Sequence, residues 1–318
     1  MSFGLEALSR TKAVVLTYNA EKYLAQLIPA LAKQGLMPEQ ILVIDSSSAD
    51  GTVEQFRKFG AQLLVIPQNE FDHGGTRKRA AELCGEAEFL IYLTQDAIPA
   101  APDSFAKILE PFKNPSVGIA YGRQLPRPQA RAIERHARLE NYPESPSEVR
   151  TFDDRGRLGV KTIFCSDSFA VYRLSALDSV GGFPESAFFA EDQIVAGRML
   201  LANWSIAYNS DAEVIHSHDY TIRQEFQRYF DVGVFHARNT WILKSFGAAE
   251  GAGLRFLLSQ LKYLWVNEPW SIPSAILRTF AKYAGYRLGR MEAQLSSAVK
   301  RHLSMSPHYW IKQQKRLR

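Results

Sequence analysis

Through the first third of the chain, short apolar runs alternate with apolar residues at helical spacing. Ala13–Tyr18 (AVVLTY), Ile41–Asp45 (ILVID), Leu63–Ile66, Phe89–Thr94 (FLIYLT) and Val117–Tyr121 are β-favouring runs almost free of charge. Runs of that length and composition read as strands buried on both faces. Between them, Leu24, Leu27, Ile28 and Leu31 recur at three- and four-residue intervals. A second helix opens at Asp50-Gly51-Thr52 and turns Val53, Phe56 and Phe59 to one side. A third starts near Gly75 and runs through Ala81 and Leu83, and a fourth covers Ser104–Leu109. Strand–helix alternation predicts βαβ units, hence an α/β fold with a mostly parallel sheet flanked by helices.

The pattern then changes. The stretch 118–150 holds several prolines and the charged, helix-like IERHARLENY, and reads as a connection to a second half. Thr162–Tyr172 reads as a strand and Leu174–Val180 as a short helix ended by Gly181-Gly182. Gln193–Leu201 is helical, and Ser205–Tyr208 and Glu213–His216 are short strands. From Thr221 onward Phe226, Tyr229, Phe230 and Val234 keep helical spacing, with two or three more helices expected beyond. The expected organisation is an α/β domain over 1–220, in halves 1–122 and 123–220, followed by a helical extension over 221–318.

Composition narrows the class. With 46% hydrophobic and 22% charged residues, the chain of 318 residues is neither disordered nor fibrous. Two cysteines, Cys84 and Cys165, exclude a disulfide-built scaffold and suit a reducing compartment. No apolar run is long enough to span a bilayer, and MSFGLEALSRTK lacks a signal-peptide core, so a cytoplasmic location is expected. The net charge of +5 is unevenly spread. From Pro273 to Arg318 ten Lys/Arg face one acid, Glu292, so this segment carries +9 and leaves −4 for the rest. Such a tail attracts an anionic leaflet or nucleic acid; the plain alternative is a solubilising helix face. Trp241, Trp265, Trp270 and Trp310 accompany it, and most of them are expected to pack as core.

In a parallel sheet, ligands bind beyond the C-terminal strand ends. The segments there are Thr17-Tyr18-Asn19, Asp45 through Thr52, Asn69 through Arg77, and Thr94-Gln95-Asp96. Neither GxGxxG nor GxxxxGK[ST] occurs, which counts against a dinucleotide cofactor and a P-loop. Asp45 can accept from a pyrimidine imide or a ribose hydroxyl, or can cap the next turn with Ser48. His73-Gly74-Gly75-Thr76-Arg77 presents backbone N–H groups at a helix start and a guanidinium fork, both suited to phosphate; an ordinary glycine loop is the alternative. Asp96 can hold a divalent ion against a diphosphate. His216 and His218 can assist, and one of them, His218 preferred, is expected at the site. Phe188-Phe189-Ala190-Glu191-Asp192 places two acids at a helix start. They either complement the dipole or supply a general base beside an aromatic acceptor pocket.

Taken together, TYNAEKYL, VIDSSSADGT, LTQDA and VGGFPESAFFAEDQIVAGRMLLANWSIAY resemble the successive motifs of the inverting family 2 glycosyltransferases of GT-A fold, over Lys12–His218. NEFDHGGTR, HSHDYTIRQEFQRYFDVGVFH, RLGR and LSMSPHYW are similar to bacterial rhamnosyltransferases that use dTDP-L-rhamnose. The resemblance implies a donor site at Thr17, Tyr18, Asn19, Asp45, His73, Gly74, Gly75, Arg77, Gln95 and Asp96. It implies Asp192 as catalytic base, with Phe189 and Glu191 beside the acceptor. Mg²⁺ or Mn²⁺ would sit at Asp96 with His218, or His216 as the alternative. The first half then binds nucleotide-sugar and the second the acceptor.

Two departures matter. Asp45-Ser46 replaces the family's paired Asp, and Thr94-Gln95-Asp96 offers one carboxylate, so loose binding or a dispensable ion is expected. QXXRW and the membrane spans of processive synthases are missing, which implies a single-addition enzyme. The implied partners are a glycan or glycolipid acceptor, such as lipopolysaccharide core or O-antigen, and an anionic membrane surface at the basic tail, without nucleic acid. The implied place is the inner leaflet of the cytoplasmic membrane. The rival readings are a UDP-hexose donor, a nucleotidyltransferase, which TYNAEKYL does not fit, and a non-catalytic basic surface-binding protein.

Overall fold

A computed structural model describes residues 2–185, 187, 189–248 and 251–316. Among these, nine strands form one sheet: β1 (Thr11–Thr17), β2 (Ile41–Asp45), β3 (Gln62–Val65), β4 (Phe89–Thr94), β5 (Ile98–Pro99), β6 (Val117–Leu125), β7 (Glu148–Arg150), β8 (Phe169–Arg173) and β9 (Ser205–Ile215). Their order is β3-β2-β1-β4-β8-β6-β9-β5, with β7 on β9. β3, β2, β1 and β4 are parallel, so Thr17, Asp45, Val65 and Thr94 end on one rim. β8 enters antiparallel between β4 and β6, which makes the whole sheet mixed rather than mostly parallel.

The helices that cover the sheet are α1 (Phe3–Ala7), α2 (Glu21–Leu31), α3 (Thr52–Phe59), α4 (His73–Leu83), α5 (Ser104–Leu109), α6 (Ala132–Asn141), α7 (Arg155–Leu158), α8 (Leu174–Ser179) and α9 (Glu191–Leu201). Alternation along the strands splits the core into two layers. Val14, Leu42, Ile44, Leu90 and Tyr92 join one layer, with Ala80, Leu177 and Val195. Ala13, Val15, Val43, Ile91 and Leu93 join the other, with Leu27, Phe56 and Phe105.

Three expectations change. The run 162–172 is a strand only from Phe169. Gly159–Ile163 winds as a 3-10 helix from a residue of positive φ, and the Phe169 amide closes a turn onto the Ser166 carbonyl. The two short strands around 205–216 are one strand, β9, because its polar middle forms a bulge: Gly122 pairs with Asn209 but Arg123 with Glu213. The stretch 118–150 contributes most of β6, α6 and β7 rather than a bare connection.

The C-terminal region holds α10 (Ile222–Arg238), α11 (Thr240–Phe246), α12 (Ala252–Asn267), α13 (Ile272–Arg290), α14 (Ser297–Leu303) and α15 (Pro307–Arg316), more helices than the pattern suggested. α10 and α13 cross on glycines. A Cβ on Gly289 would lie 2.0 Å from the Phe230 carbonyl oxygen, and one on Gly233 would lie 2.3 Å from that of Tyr286. Gly289→Ala is therefore expected to lower stability by about 1–3 kcal/mol, read from urea denaturation.

The basic tail is partly internal. Arg278 and Lys282 pair with Glu225, and Lys300 pairs with Glu292. Trp310 is 3% exposed and packs on Phe230 and Val234. Trp241 packs against the core, but Trp265 and Trp270 are exposed, against expectation. The side chains of Lys315 and Arg316, and all of Arg318, lie outside the described residues.

Candidate active site

The rim of the parallel strands is braced by its own polar groups. The Thr17 hydroxyl donates to Asp45 Oδ2 at 2.7 Å, and the Ser48 amide and hydroxyl donate to the two Asp45 oxygens at 2.7 and 2.6 Å. Asp45 is 0% exposed, so the direct nucleobase contact expected of it finds no accessible oxygen. It holds the loop, as the turn-capping alternative requires. The Gln95 side chain accepts from the Tyr18 amide at 2.7 Å and donates to the Tyr18 carbonyl, leaving the Tyr18 ring exposed. The Asn19 amide donates to Ser48 Oγ, and Asn19 Oδ1 accepts from Ala49. Asn19 and Ser47 both adopt positive φ here, and Ala190 does so just before the Glu191-Asp192 pair. Strained non-glycine backbone of this kind collects at functional sites.

Asp96 lies one residue pair beyond β4, and both histidines converge on it. Asp96 Oδ2 is 3.4 Å from His216 Nε2 and 3.5 Å from His218 Nε2. The expectation that only one would face the site fails, because residues two apart on an extended chain share a face, and both rings reach Asp96. One ligand atom from each residue lies within 4.8 Å of the others. Ligands about 2.1 Å from a shared ion lie about 3.0–3.4 Å apart, so this donor set fits a divalent cation.

Neighbouring groups fix the tautomer. Arg138 donates to Gln124 Oε1 at 2.5 Å and Gln124 Nε2 donates to Ser166 Oγ, so Oε1 is the acceptor facing His216 Nδ1 at 2.9 Å. His216 therefore carries its proton on Nδ1 and turns the Nε2 lone pair toward Asp96. Burial pushes His216 down, and burial with the neighbouring imidazole brings His218 down to about 4. Burial opposes the charge on Asp96, but in acid, once the imidazoles are protonated, the His216 hydrogen bond and the charge of both rings hold its carboxyl well below the ordinary range. At neutral pH the trio is one carboxylate and two neutral imidazoles, the state a metal needs.

The second cluster surrounds Arg77. Its Nε is 2.8 Å from Asp167 Oδ2, its Nη1 is 2.7 Å from Glu191 Oε1, and Nη1 also donates to the His73 carbonyl at 3.1 Å. The guanidinium is buried and engaged by carboxylates, where the resemblance implies a grip on a donor phosphate. The glycines differ as well. The Gly75 amide is capped by Asp72 Oδ1 at 2.7 Å, and Gly74 lacks a side chain because a Cβ would meet the Pro184 carbonyl oxygen at 1.9 Å. The expected phosphate cradle is thus a helix cap and a close packing contact. His73 packs edge-on against Phe71.

Asp192 stands at the edge of this cluster. Its Oδ2 accepts from the Asp167 amide at 3.4 Å and its Oδ1 from Gln193 at 2.7 Å. Burial, then Asp167 and Glu191, push its pKa well up against the pull of Arg77. Burial likewise raises Asp167. The two clusters meet at Ser166–Asp167: Gln124 reaches Ser166 from the histidine side, and the next amide donates to Asp192. A relay of His216, Gln124, Ser166 and the Asp167 amide thus connects Asp96 with Asp192.

Sequence reasoning missed Asp167, Gln124, Arg127, Glu134 and Arg228. Arg127 Nη2 donates to the Asp96 carbonyl at 3.1 Å and its guanidinium sits over Tyr23. It lines a cavity of about 320 Å³ with His218, Tyr220 and Gln224. Glu134 accepts from the His218 amide. Arg228, from α10, lies over the Phe189 ring at 5.2 Å, and Phe189 packs on Phe235. Phe188, read as part of the aromatic pocket, lies outside the described residues. No local sequence signal marks Asp167 or Gln124; Arg127 and Arg228 could have been found only as cations flanking strand-end and helix motifs.

The strand order, with chemistry confined to one rim, and the appended helical region define a class, the GT-A glycosyltransferases. The mannosyltransferase PcManGT from Pyrobaculum calidifontis, solved with GDP-Man and Mn²⁺, shares the fold: TM-score 0.55 at 18% identity, over 95% of this chain and 85% of that one. The chain belongs to glycosyl transferase family 2, whose profile matches residues 13–181. It is similar to the O-antigen chain rhamnosyltransferase WbaN of Salmonella anatum, 44% identical over 298 residues, 93% of this chain and 94% of that protein. The O-antigen chain rhamnosyltransferase RfbN of Salmonella typhimurium is 42% identical, over 93% of this chain and 95% of that protein. The chain is therefore a glycosyltransferase.

Proposed function

We propose that the chain transfers L-rhamnose from dTDP-β-L-rhamnose to a hydroxyl of an O-antigen or related lipid-linked glycan, with inversion. Asp192 is the general base; residues 1–122, joined by Arg127, His216, His218 and Arg228 at the diphosphate, serve the donor, and the rest of 123–220 serves the acceptor. The observation that carries the chemistry is the bridge from Asp96, His216 and His218 through Gln124 and Ser166–Asp167 to Asp192. The sugar follows from the two near full-length relatives.

In this reading the acceptor oxygen bonds to the anomeric carbon as its proton passes to Asp192. The bond to the diphosphate oxygen breaks, and dTDP leaves with the electron pair. One displacement turns the β-linked donor into an α-L-rhamnoside. Asp96, His216 and His218 would hold Mn²⁺ or Mg²⁺, which supplies positive charge to the leaving diphosphate. Two imidazoles favour Mn²⁺ over Mg²⁺. With Arg77 engaged, Arg127 beside Asp96 and Arg228 beside Phe189 take over as the cations that draw the donor's phosphates. Arg77 acts as a positioning residue that fixes Glu191 and, through Asp167, the amide that orients Asp192. Among the described residues no helix is long and apolar enough to cross a membrane. The proposed place is peripheral, on the inner leaflet of the cytoplasmic membrane.

Thermal-shift titration tests the metal and donor together. dTDP should raise the Tm more with Mn²⁺ than with chelator, and more than UDP or GDP does. The His216→Ala/His218→Ala pair should remove the Mn²⁺ dependence. Rhamnose release from dTDP-rhamnose, set against glucose release from UDP-glucose, tests the donor; preference for the UDP-sugar would overturn it.

A further inference from the structure

The geometry points to the α12–α13 hairpin, which includes the first part of the basic segment, as a docking surface for an anionic lipid leaflet. The two helices are joined through Pro269–Ser271, and Leu264 and Ala275 seal their inner side against Ala132 of α6. The outer side is apolar too. Trp265 is 74% exposed and Trp270 is 76% exposed at the apex, with Val266 between them. On α13, Leu277, Phe280 and Tyr283 continue the exposed face at three-residue intervals. The four exposed aromatics alone present on the order of 500 Å², at the upper end of what soluble monomers leave uncovered. Trp and Tyr are the side chains that settle at the headgroup level of a bilayer.

Charge selects the occupant. Arg255, Lys262, Arg287 and Arg290 are exposed on the same two helices. Glu268 is the one acid between 252 and 290, and its carboxylate turns back to accept from the Ala132 amide and the Ser271 hydroxyl. A second copy docking through this face by two-fold symmetry would set cations against cations, whereas anionic headgroups complement them. The hairpin is also rigidly joined to the active site. Arg278 of α13 donates to the Tyr220 carbonyl at 2.6 Å, and Tyr220 stacks on His218. A leaflet under the hairpin would thus hold the cleft beside a lipid-linked acceptor. That purpose rests on the proposed acceptor, but binding to vesicles needs neither donor nor acceptor.

The full chain is to be sedimented with phosphatidylcholine vesicles, with and without phosphatidylglycerol. Binding should require the anionic lipid and blue-shift the tryptophan fluorescence. Trp265→Ser/Trp270→Ser should weaken binding at least about tenfold, and Lys262→Glu/Arg287→Glu should weaken it while leaving both tryptophans in place. Both variants should keep the dTDP thermal shift, which reports folding separately from docking. Binding that survives both pairs of substitutions, equal binding to neutral vesicles, or a concentration-dependent dimer abolished by the tryptophan pair would overturn the proposal.

Discussion

Asp192→Asn is expected to lower kcat by about 10²–10⁴-fold, the usual worth of a general base, while nucleotide binding stays near normal. The amide keeps the shape, and its oxygen can still accept from Gln193 or Asp167, but it cannot take the acceptor's proton. The same change removes one of three acids crowded around a single guanidinium. Stability should therefore hold or rise, which separates lost chemistry from lost fold. The pH dependence follows from the raised pKa of Asp192. Its folded value lies above the unfolded one, so the folded state binds the proton more tightly between them. Stability then falls as pH rises through that window, and Asp192→Asn removes this loss. Activity has the opposite slope, because only the ionised form accepts a proton. The acid limb of kcat/KM should lie above the ordinary carboxylate range and move down in Asp167→Asn, since Asp167 helps to raise Asp192. Normal turnover by Asp192→Asn would sink the base assignment.

The frame of the fold was legible because buried parallel strands cannot hide their composition: ILVID and FLIYLT admit few other readings. Asp96 was legible for the same reason, as the acid that ends such a run. Asp167 was not. Ser166-Asp167-Ser168 looks like any polar turn, and its partner Arg77 is 90 residues earlier in the chain. The histidine pair was itself legible: residues two apart on an extended segment line one face, so both rings belong at Asp96. The Gly74-Gly75 pair misled. A glycine pair at a helix start suits an anion, but it equally suits a carboxylate cap and a carbonyl packed against the helix, and only tertiary contacts distinguish them. The tryptophans show the limit of composition. Trp310 and Trp265 come from equally aromatic segments, yet one packs under α10 and the other tips the α12–α13 hairpin.

Arg77→Met separates the two roles open to that arginine. The side chain is nearly buried and is the shared counter-ion of Asp167 and Glu191. Its removal leaves carboxylates desolvated without a partner, which typically costs about 3–5 kcal/mol, a large share of the total stability of a domain. Urea denaturation at neutral pH should show that loss. The deficit should shrink as pH falls, because unpaired buried acids have raised folded pKa values and their protonation relieves the fold. Adding Asp167→Asn to Arg77→Met should recover part of it, and the double-mutant cycle measures the coupling. Arg77→Lys should restore less than the parent, because one ammonium cannot span Asp167 and Glu191 as the guanidinium fork does. If Arg77 instead gripped the donor, Arg77→Met would stay folded and lose dTDP affinity alone. A wild-type denaturation midpoint with a weakened dTDP thermal shift would return Arg77 to the donor site.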